Sequence, residues 1–286
     1  MRLLLARHGQ SVWNQVRRFQ GENDIGLSDL GRRQAAALGR AVREGYRVRA
    51  AYVSPMQRAF DTATIALAGT GIRLVPLPEL RELSLGEWEG CTVEEIRARE
   101  GDPYQAWVRS PLDCPPPGGE PLPDVCARVL RAIGRIGEDH PNGDDVLVVA
   151  HGGVISVYLC HLLGISFNSL WRLRIDNGSL TVARPPRLVS VNDTAHLPGP
   201  RKTTWFDASD AKGAVAAGGA PVGVSPPTRV VSADPTSAPG KDPSKVAASV
   251  VGGETPTGAP PAAAAGSAPA PGPPTTSASA DRERAR

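Results

Sequence analysis

Two histidines end two apolar runs in the same way. Leu3-Leu4-Leu5-Ala6 leads into Arg7-His8-Gly9, and Val146-Leu147-Val148-Val149-Ala150 leads into His151-Gly152. Apolar runs of this length, rich in Leu and Val and bounded by Gly, read as buried strands of a parallel sheet. Ligands of open α/β sheets bind outside the carboxyl ends of such strands, so both imidazoles are expected to face one cleft. The chemistry these residue types fit is phosphoryl transfer. It needs a neutral imidazole aimed at phosphorus, cationic donors on the equatorial oxygens and an acid for the leaving oxygen. His8 offers the first, and Arg7 and Arg58 offer forked donors of phosphate geometry. Asn14 can donate another hydrogen bond. The acid is one of Glu82, Glu87 and Glu89, among which residue chemistry alone does not choose.

These groups need strands and helices to place them. Ser28 caps a helix with Leu30, Ala35, Leu38 and Val42 at helical spacing, ending near Gly45. Ala50 to Val53 reads as a short strand, and Ser54-Pro55 as N-cap and first residue of a helix carrying Arg58 about one turn in. Ile72 to Val75 is a third strand, and Thr92 to Glu100 a helix. The Pro- and Gly-dense stretch from Pro111 to Pro123 suggests an excursion over the cleft, after which Asp124 to Glu138 is an amphipathic helix. An apolar helix is expected from Gly152 to Leu163, a strand within Trp171 to Val182, and an extended segment from Pro185 to Leu197. Strands alternating with helices give the α/β class. Helix N-termini at Gly152 and near Pro55 would add N–H donors and a dipole favourable to an anion.

Composition shifts after Phe206 in this 286-residue chain. From Asp207 onward there is no Phe, Trp or Tyr, while Ala, Pro, Gly, Ser and Thr dominate, so residues 201–286 are expected to be a disordered tail beyond a domain at 1–200. From Asp207 to Arg286 seven acidic and seven basic residues balance, and a net charge of +3 gives no electrostatic case for nucleic acid. The four cysteines show no Cys-x-x-Cys spacing, and no signal-peptide core opens the chain, so a cytoplasmic location is expected. No apolar stretch is long enough to span a bilayer, and no membrane partner is expected.

Arg7-His8-Gly9-Gln10-Ser11-Val12-Trp13-Asn14 resembles the opening signature of the histidine phosphatase superfamily, the phosphoglycerate-mutase-like proteins. Four later motifs follow in that family's order: Arg18-Phe19-Gln20-Gly21, Ser54-Pro55-Met56-Gln57-Arg58-Ala59, Leu80-Arg81-Glu82-Leu83 with Gly86-Glu87-Trp88-Glu89-Gly90, and Ala150-His151-Gly152-Gly153. The resemblance implies a three-layer sandwich with a mostly parallel central sheet flanked by helices. It also implies a phosphohistidine formed on His8. Arg7, Asn14, Arg58, His151 and the Gly152 N–H would hold the transferring oxygens, Glu82 would be proton donor and acceptor, and Gln20 and Gly21 would line the substrate pocket. No metal or cofactor would be needed, because arginines and histidine carry the positive charge. Arg7 and Arg58 should also keep His8 neutral, and a bound phosphate should set the proton on Glu82.

Within that family the chain looks like the phosphatase branch. Mutases carry a longer segment between the acid and the second histidine, and two adjacent arginines after a Trp; here the stretch reads Trp107-Val108-Arg109-Ser110. Gly118-Gly119-Glu120 and Asp176-Asn177-Gly178-Ser179 also resemble the family's broad phosphatases. A small phosphorylated metabolite is therefore the expected partner, with a bisphosphoglycerate-dependent mutase and a non-catalytic phospho-ligand binder as the alternatives. Arg109 either meets a second anionic group of the substrate or is a surface residue. Trp88 and Trp107 are expected to pack, with Trp107 also placed to help cover the pocket. His140, His161 and His196 are expected to be structural or surface residues. A homodimer is admitted by the sequence, with no surface singled out.

Overall fold

The computed structural model describes residues 1–198, so the expected tail lies outside the described residues. A six-stranded sheet has the order β3-β2-β4-β1-β5-β6. Its strands are β1 (Arg2–Arg7), β2 (Val48–Val53), β3 (Leu74–Pro76), β4 (Asp145–Ala150), β5 (Leu180–Arg184) and β6 (Arg187–Asp193). The pairs β1–β4, β4–β2 and β2–β3 are parallel, while β5 and β6 are added antiparallel at one side.

Alternate residues of β1 and β4 fill two cores. Leu4, Ala6, Leu147 and Val149 pack with Leu38 and Val42 of α2 (Asp29–Gly45) and with Ala59 and Ala63 of α3 (Gln57–Ala66). Leu3, Leu5, Val146 and Val148 face the opposite way. They join α6 (Leu122–Asp139) and α7 (Gly152–Leu163), together with the short helices α4 (Val93–Arg97) and α5 (Pro103–Arg109). Three layers result, as the resemblance implied. The chain leaving β1 builds α2 on one face, and the chain leaving β4 builds α7 on the other. Adjacent strands whose connections diverge in this way open a crevice at their carboxyl ends. Arg7 is level with Ala150 in the β1–β4 register, so His8 and His151 flank that crevice.

Ser28 caps α2 through Gly31 N–H, and the amphipathic α6 and apolar α7 stand where the sequence placed them. Three expectations needed correction. The α3 helix begins at Gln57 with Met56 as N-cap, so Ser54-Pro55 precedes it and Arg58 lies within its first turn. Residues Trp171 to Ser179 form the end of a 3-10 turn (Phe167–Arg172) and then a loop, and only Leu180 begins a strand. The Pro-rich stretch is not merely laid over a cleft, because Gly119 is wedged near Ser84 and Pro117 O receives the Glu87 N–H at 2.9 Å.

Candidate active site

His8 is buried, and its Nδ1 lies 2.7 Å from the Gly9 carbonyl. A carbonyl only accepts, so Nδ1 carries the proton and Nε2 keeps its lone pair. Burial, reinforced by Arg58 and Arg7, holds His8 well below the usual imidazole range, so the ring is neutral at pH 7. The His151 ring is 5.1 Å away, centroid to centroid. His151 is held low by burial first and then by Arg58, His8, Arg7 and Arg128. Its Nε2 meets Ser54 Oγ at 2.8 Å, while Nδ1 is buried without a partner.

Two guanidiniums are buried against this pair. Arg58 is 1 % exposed and donates to Asn23 O and Gly21 O at 2.8 and 2.9 Å. Arg7 is 6 % exposed, donates to Ile175 O at 2.6 Å, and lies so close to Gly152 that a Cβ there would come within 3.3 Å of its guanidinium carbon. Burial pulls Arg58 down to about 10 and Arg7 below its ordinary value, which leaves both cationic at neutral pH. Among the described residues neither forms an ion pair. The Nε of each is buried and unpartnered. Unpaired buried cations cost several kcal/mol or so each, and a bound anion offsets that cost. A third donor faces the same need. Asn14 Oδ1 accepts from Ser11 N and Asn177 Nδ2, while its Nδ2 is buried with nothing to donate to.

The carboxyls separate in space. Glu82 accepts from Gly153 N at 3.3 Å and Val154 N at 3.2 Å, which sets it on the first turn of α7 beside His151. That approach requires glycine at 153, where a Cβ would fall 2.0 Å from Leu83 Cδ2 and 2.7 Å from Glu82 Oε1. Glu87 is exposed. Glu89 is tied up in a clip, receiving Glu22 N, Asn23 Nδ2, Ser84 Oγ and Leu85 N. Gly152 opens α7, and Glu82 takes the next two N–H groups, leaving the Gly152 N–H as the first-turn donor it does not use.

The α3 N-terminus is otherwise engaged, because Gln57 N donates to Asp24 at 2.6 Å. Gln20 is buried with Oε1 unpartnered, and Gly21 contributes its carbonyl to Arg58. Trp107 is buried in an aromatic cluster with Trp88, Phe19 and Trp171 and belongs to the packing. Arg109 is exposed at the end of α5. His140 bridges Tyr52 and Asp144, and His196 meets Gly178 O, while His161 is exposed.

The sequence reading missed two supports. Asn177 ties Asn14 to the His8 carbonyl, and Ser54 serves His151 rather than capping a helix. The signal for Asn177 was its place just before a strand that pairs with β1. Among the described residues no group of three His, Cys, Asp or Glu is arranged to hold a metal ion.

The description "Histidine phosphatase superfamily (branch 1)" matches residues 3–191. The chain belongs to that superfamily. A bifunctional protein of Mycobacterium tuberculosis is 38% identical over 183 residues, which are 64% of this chain and 50% of that protein. The chain thus spans about half the length of this curated relative. Phosphoserine phosphatase 1 of Hydrogenobacter thermophilus is 30% identical over 69% of this chain and 94% of its own length. The solved structure of a mycobacterial glucosyl-3-phosphoglycerate phosphatase superposes with a TM-score of 0.62 at 31% identity, covering 68% of this chain and 99% of that one. Among the described residues of this superfamily member no helix is long and apolar enough to cross a membrane.

Proposed function

We propose that this superfamily member hydrolyses the phosphate monoester of a small metabolite through a phosphohistidine on His8. The observation that carries this reading is the pair of buried, carboxylate-free guanidiniums of Arg7 and Arg58 beside a neutral imidazole with a bare Nε2. The His8 Nε2 lone pair attacks phosphorus, and the ester P–O bond breaks. The electron pair leaves with the alkoxide, which takes a proton from Glu82. Water then attacks the phosphorus, gives its proton to the Glu82 carboxylate, and the P–N bond returns its pair to His8. One ester and one water become one alcohol and one phosphate. Arg7, Arg58, His151, the free amide N–H of Asn14 and the Gly152 N–H hold the phosphoryl oxygens throughout.

The phosphatase names of the relatives support hydrolysis. A phosphorylated hydroxy acid or amino acid is the substrate class we favour, with Gln20 Oε1 available to accept a hydrogen bond from its hydroxyl or ammonium group. The test is phosphate release from a panel that includes phosphoserine and 3-phosphoglycerate, in the presence of a chelator, with His8→Ala as blank. Release that needs His8, with an acid-labile and base-stable phosphoenzyme trapped on quenching, is expected. Isomerisation that requires a bisphosphoglycerate primer and releases no phosphate would overturn the hydrolytic assignment.

A further inference from the structure

The segment that carries Glu82 has almost no regular structure of its own. A 3-10 turn spans Pro78–Leu80, and the carbonyls of Glu79, Arg81 and Glu82 all turn to one side chain, Arg128 of α6. Nη1 of Arg128 donates to Glu79 O at 2.7 Å and to Arg81 O at 2.6 Å, and Nη2 donates to Glu82 O at 3.2 Å. The remaining donors form a bidentate pair with Glu120, Nε to Oε1 and Nη2 to Oε2, both at 2.8 Å. A guanidinium has five N–H donors, and all five are used. Glu120 comes from the Pro-rich stretch, and its own N–H donates to Ser84 O at 3.0 Å, so the loop is gripped on both sides of Glu82. From the other direction the Glu82 carboxyl is fixed by the first turn of α7.

We propose that Arg128, braced by Glu120, is the positioning residue for the Glu82 carboxyl and thereby governs proton delivery to the leaving alcohol. This rests on the reading of Glu82 as the acid. Arg128 touches no reacting atom; it sets the main chain from which the acid projects. Small displacements of a reacting group cost up to about 100-fold, and general acids contribute on the order of 100- to 10,000-fold. A lysine at 128 offers a point charge on a shorter reach and cannot replace a fork that spans three carbonyls and a carboxylate.

The experiment compares kcat/KM, which reports events through departure of the alcohol, for an alkyl phosphate and for 2,4-dinitrophenyl phosphate. The aryl leaving group departs without a proton, so it is blind to the acid. Glu82→Gln sets the reference. Arg128→Lys and Glu120→Gln should lose about 10- to 100-fold on the alkyl ester and less than about 3-fold on the aryl ester, following Glu82→Gln. Adding Arg128→Lys to Glu82→Gln should then lower the alkyl rate no further. Equal losses on both esters, or none, in the Arg128 and Glu120 variants while Glu82→Gln stays selective would overturn the positioning role alone. A Glu82→Gln variant that loses equally on both esters would remove the acid role, and this proposal with it. Should Arg128→Lys fail to fold, Glu120→Gln, which keeps the three carbonyl contacts, decides the matter.

Discussion

Asn177 donates from one amide nitrogen to Asn14 Oδ1 and to the His8 carbonyl, each at 3.2 Å. Ser11 N donates to the same Asn14 oxygen at 3.0 Å, as the other half of a capping box on the short helix α1 (Val12–Gln15). Two donors on Oδ1 fix which way the Asn14 amide is turned. Its N–H groups are thereby committed to the buried crevice beside His8, where they have no partner. Asn177 thus determines whether Asn14 presents a donor or an acceptor to the crevice.

Asn177→Asp keeps the shape and replaces that donor by an acceptor. Lone pairs would oppose at Asn14 Oδ1 and at the His8 carbonyl, leaving Ser11 N as the one donor on Oδ1, so the Asn14 N–H would no longer be held in line with the phosphate. Losing one charge-assisted hydrogen bond, about 1.5–3 kcal/mol, predicts roughly 10- to 100-fold lower kcat/KM. In a double-mutant cycle with Asn14→Ala the two losses should overlap rather than add, because both remove the same donor. Fully additive losses would separate Asn177 from Asn14.

The carboxylate-free arginines predict a phosphate-dependent gain in stability. Phosphate at a hundred times its Kd should stabilise the folded protein by about 2.7 kcal/mol, or roughly 5–10 °C in Tm for a domain of this size. Chloride at the same ionic strength should do far less. Arg58→Met should abolish the phosphate-dependent shift, and a shift that survives in this variant would place the anion elsewhere.

Strand ends, the capped α2 and the two long flanking helices were legible because burial imprints itself directly on the residue pattern. The failures share a cause. Ser54-Pro55 satisfies every local rule for a helix start, yet the Ser54 hydroxyl is claimed by His151, which is distant in sequence and near only through β2–β4 pairing. Trp171 to Ile175 look like a strand because Trp171, Leu173 and Ile175 alternate with arginines, but they lie in a turn and loop from which Ile175 O reaches Arg7 and Asn177 reaches Asn14. Residue chemistry left Glu82, Glu87 and Glu89 open and only the resemblance pointed to Glu82, because its contact with the α7 N-terminus is made by the fold. Arg128 was not singled out from the sequence, since three of its acceptors are main-chain carbonyls that leave no mark there.

Burial of the two histidines predicts how stability depends on pH. Both are neutral in the folded protein, held well below 6.5, whereas in the unfolded chain each titrates near 6.5 or so. Their contribution is therefore complete above that pH and is lost as pH falls toward the folded values, because the unfolded chain takes up two protons that the folded protein refuses. The slope should approach about 2.7 kcal/mol per pH unit below pH 6.5 and halve in His8→Gln. Urea unfolding at pH 7.5, 6.5 and 5.5 measures it. An unchanged slope in His8→Gln would mean that His8 is charged in the folded state.

Gly21 joins the Glu89 clip to the Arg58 guanidinium. Its φ is +49°, and a Cβ there would lie 2.0 Å from Glu89 Oε1, the oxygen that also receives Glu22 N and Leu85 N. The Gly21 carbonyl in turn receives Arg58 Nη2 at 2.9 Å. Alanine at 21 must therefore displace either the Glu89 clip or the carbonyl that steers Arg58. We expect Gly21→Ala to cost about 1–3 kcal/mol of stability. In the proposed mechanism Arg58 grips the phosphate in substrate and transition state alike, so KM should rise more than kcat falls. Glu89→Gln is the informative partner. It keeps the glycine and one acceptor oxygen, so it should loosen the clip while leaving the Gly21 carbonyl on Arg58, lowering Tm with little change in KM. If both variants raise KM equally, Glu89 acts on the phosphate through Arg58, and the clip is part of the anion site rather than a brace behind it.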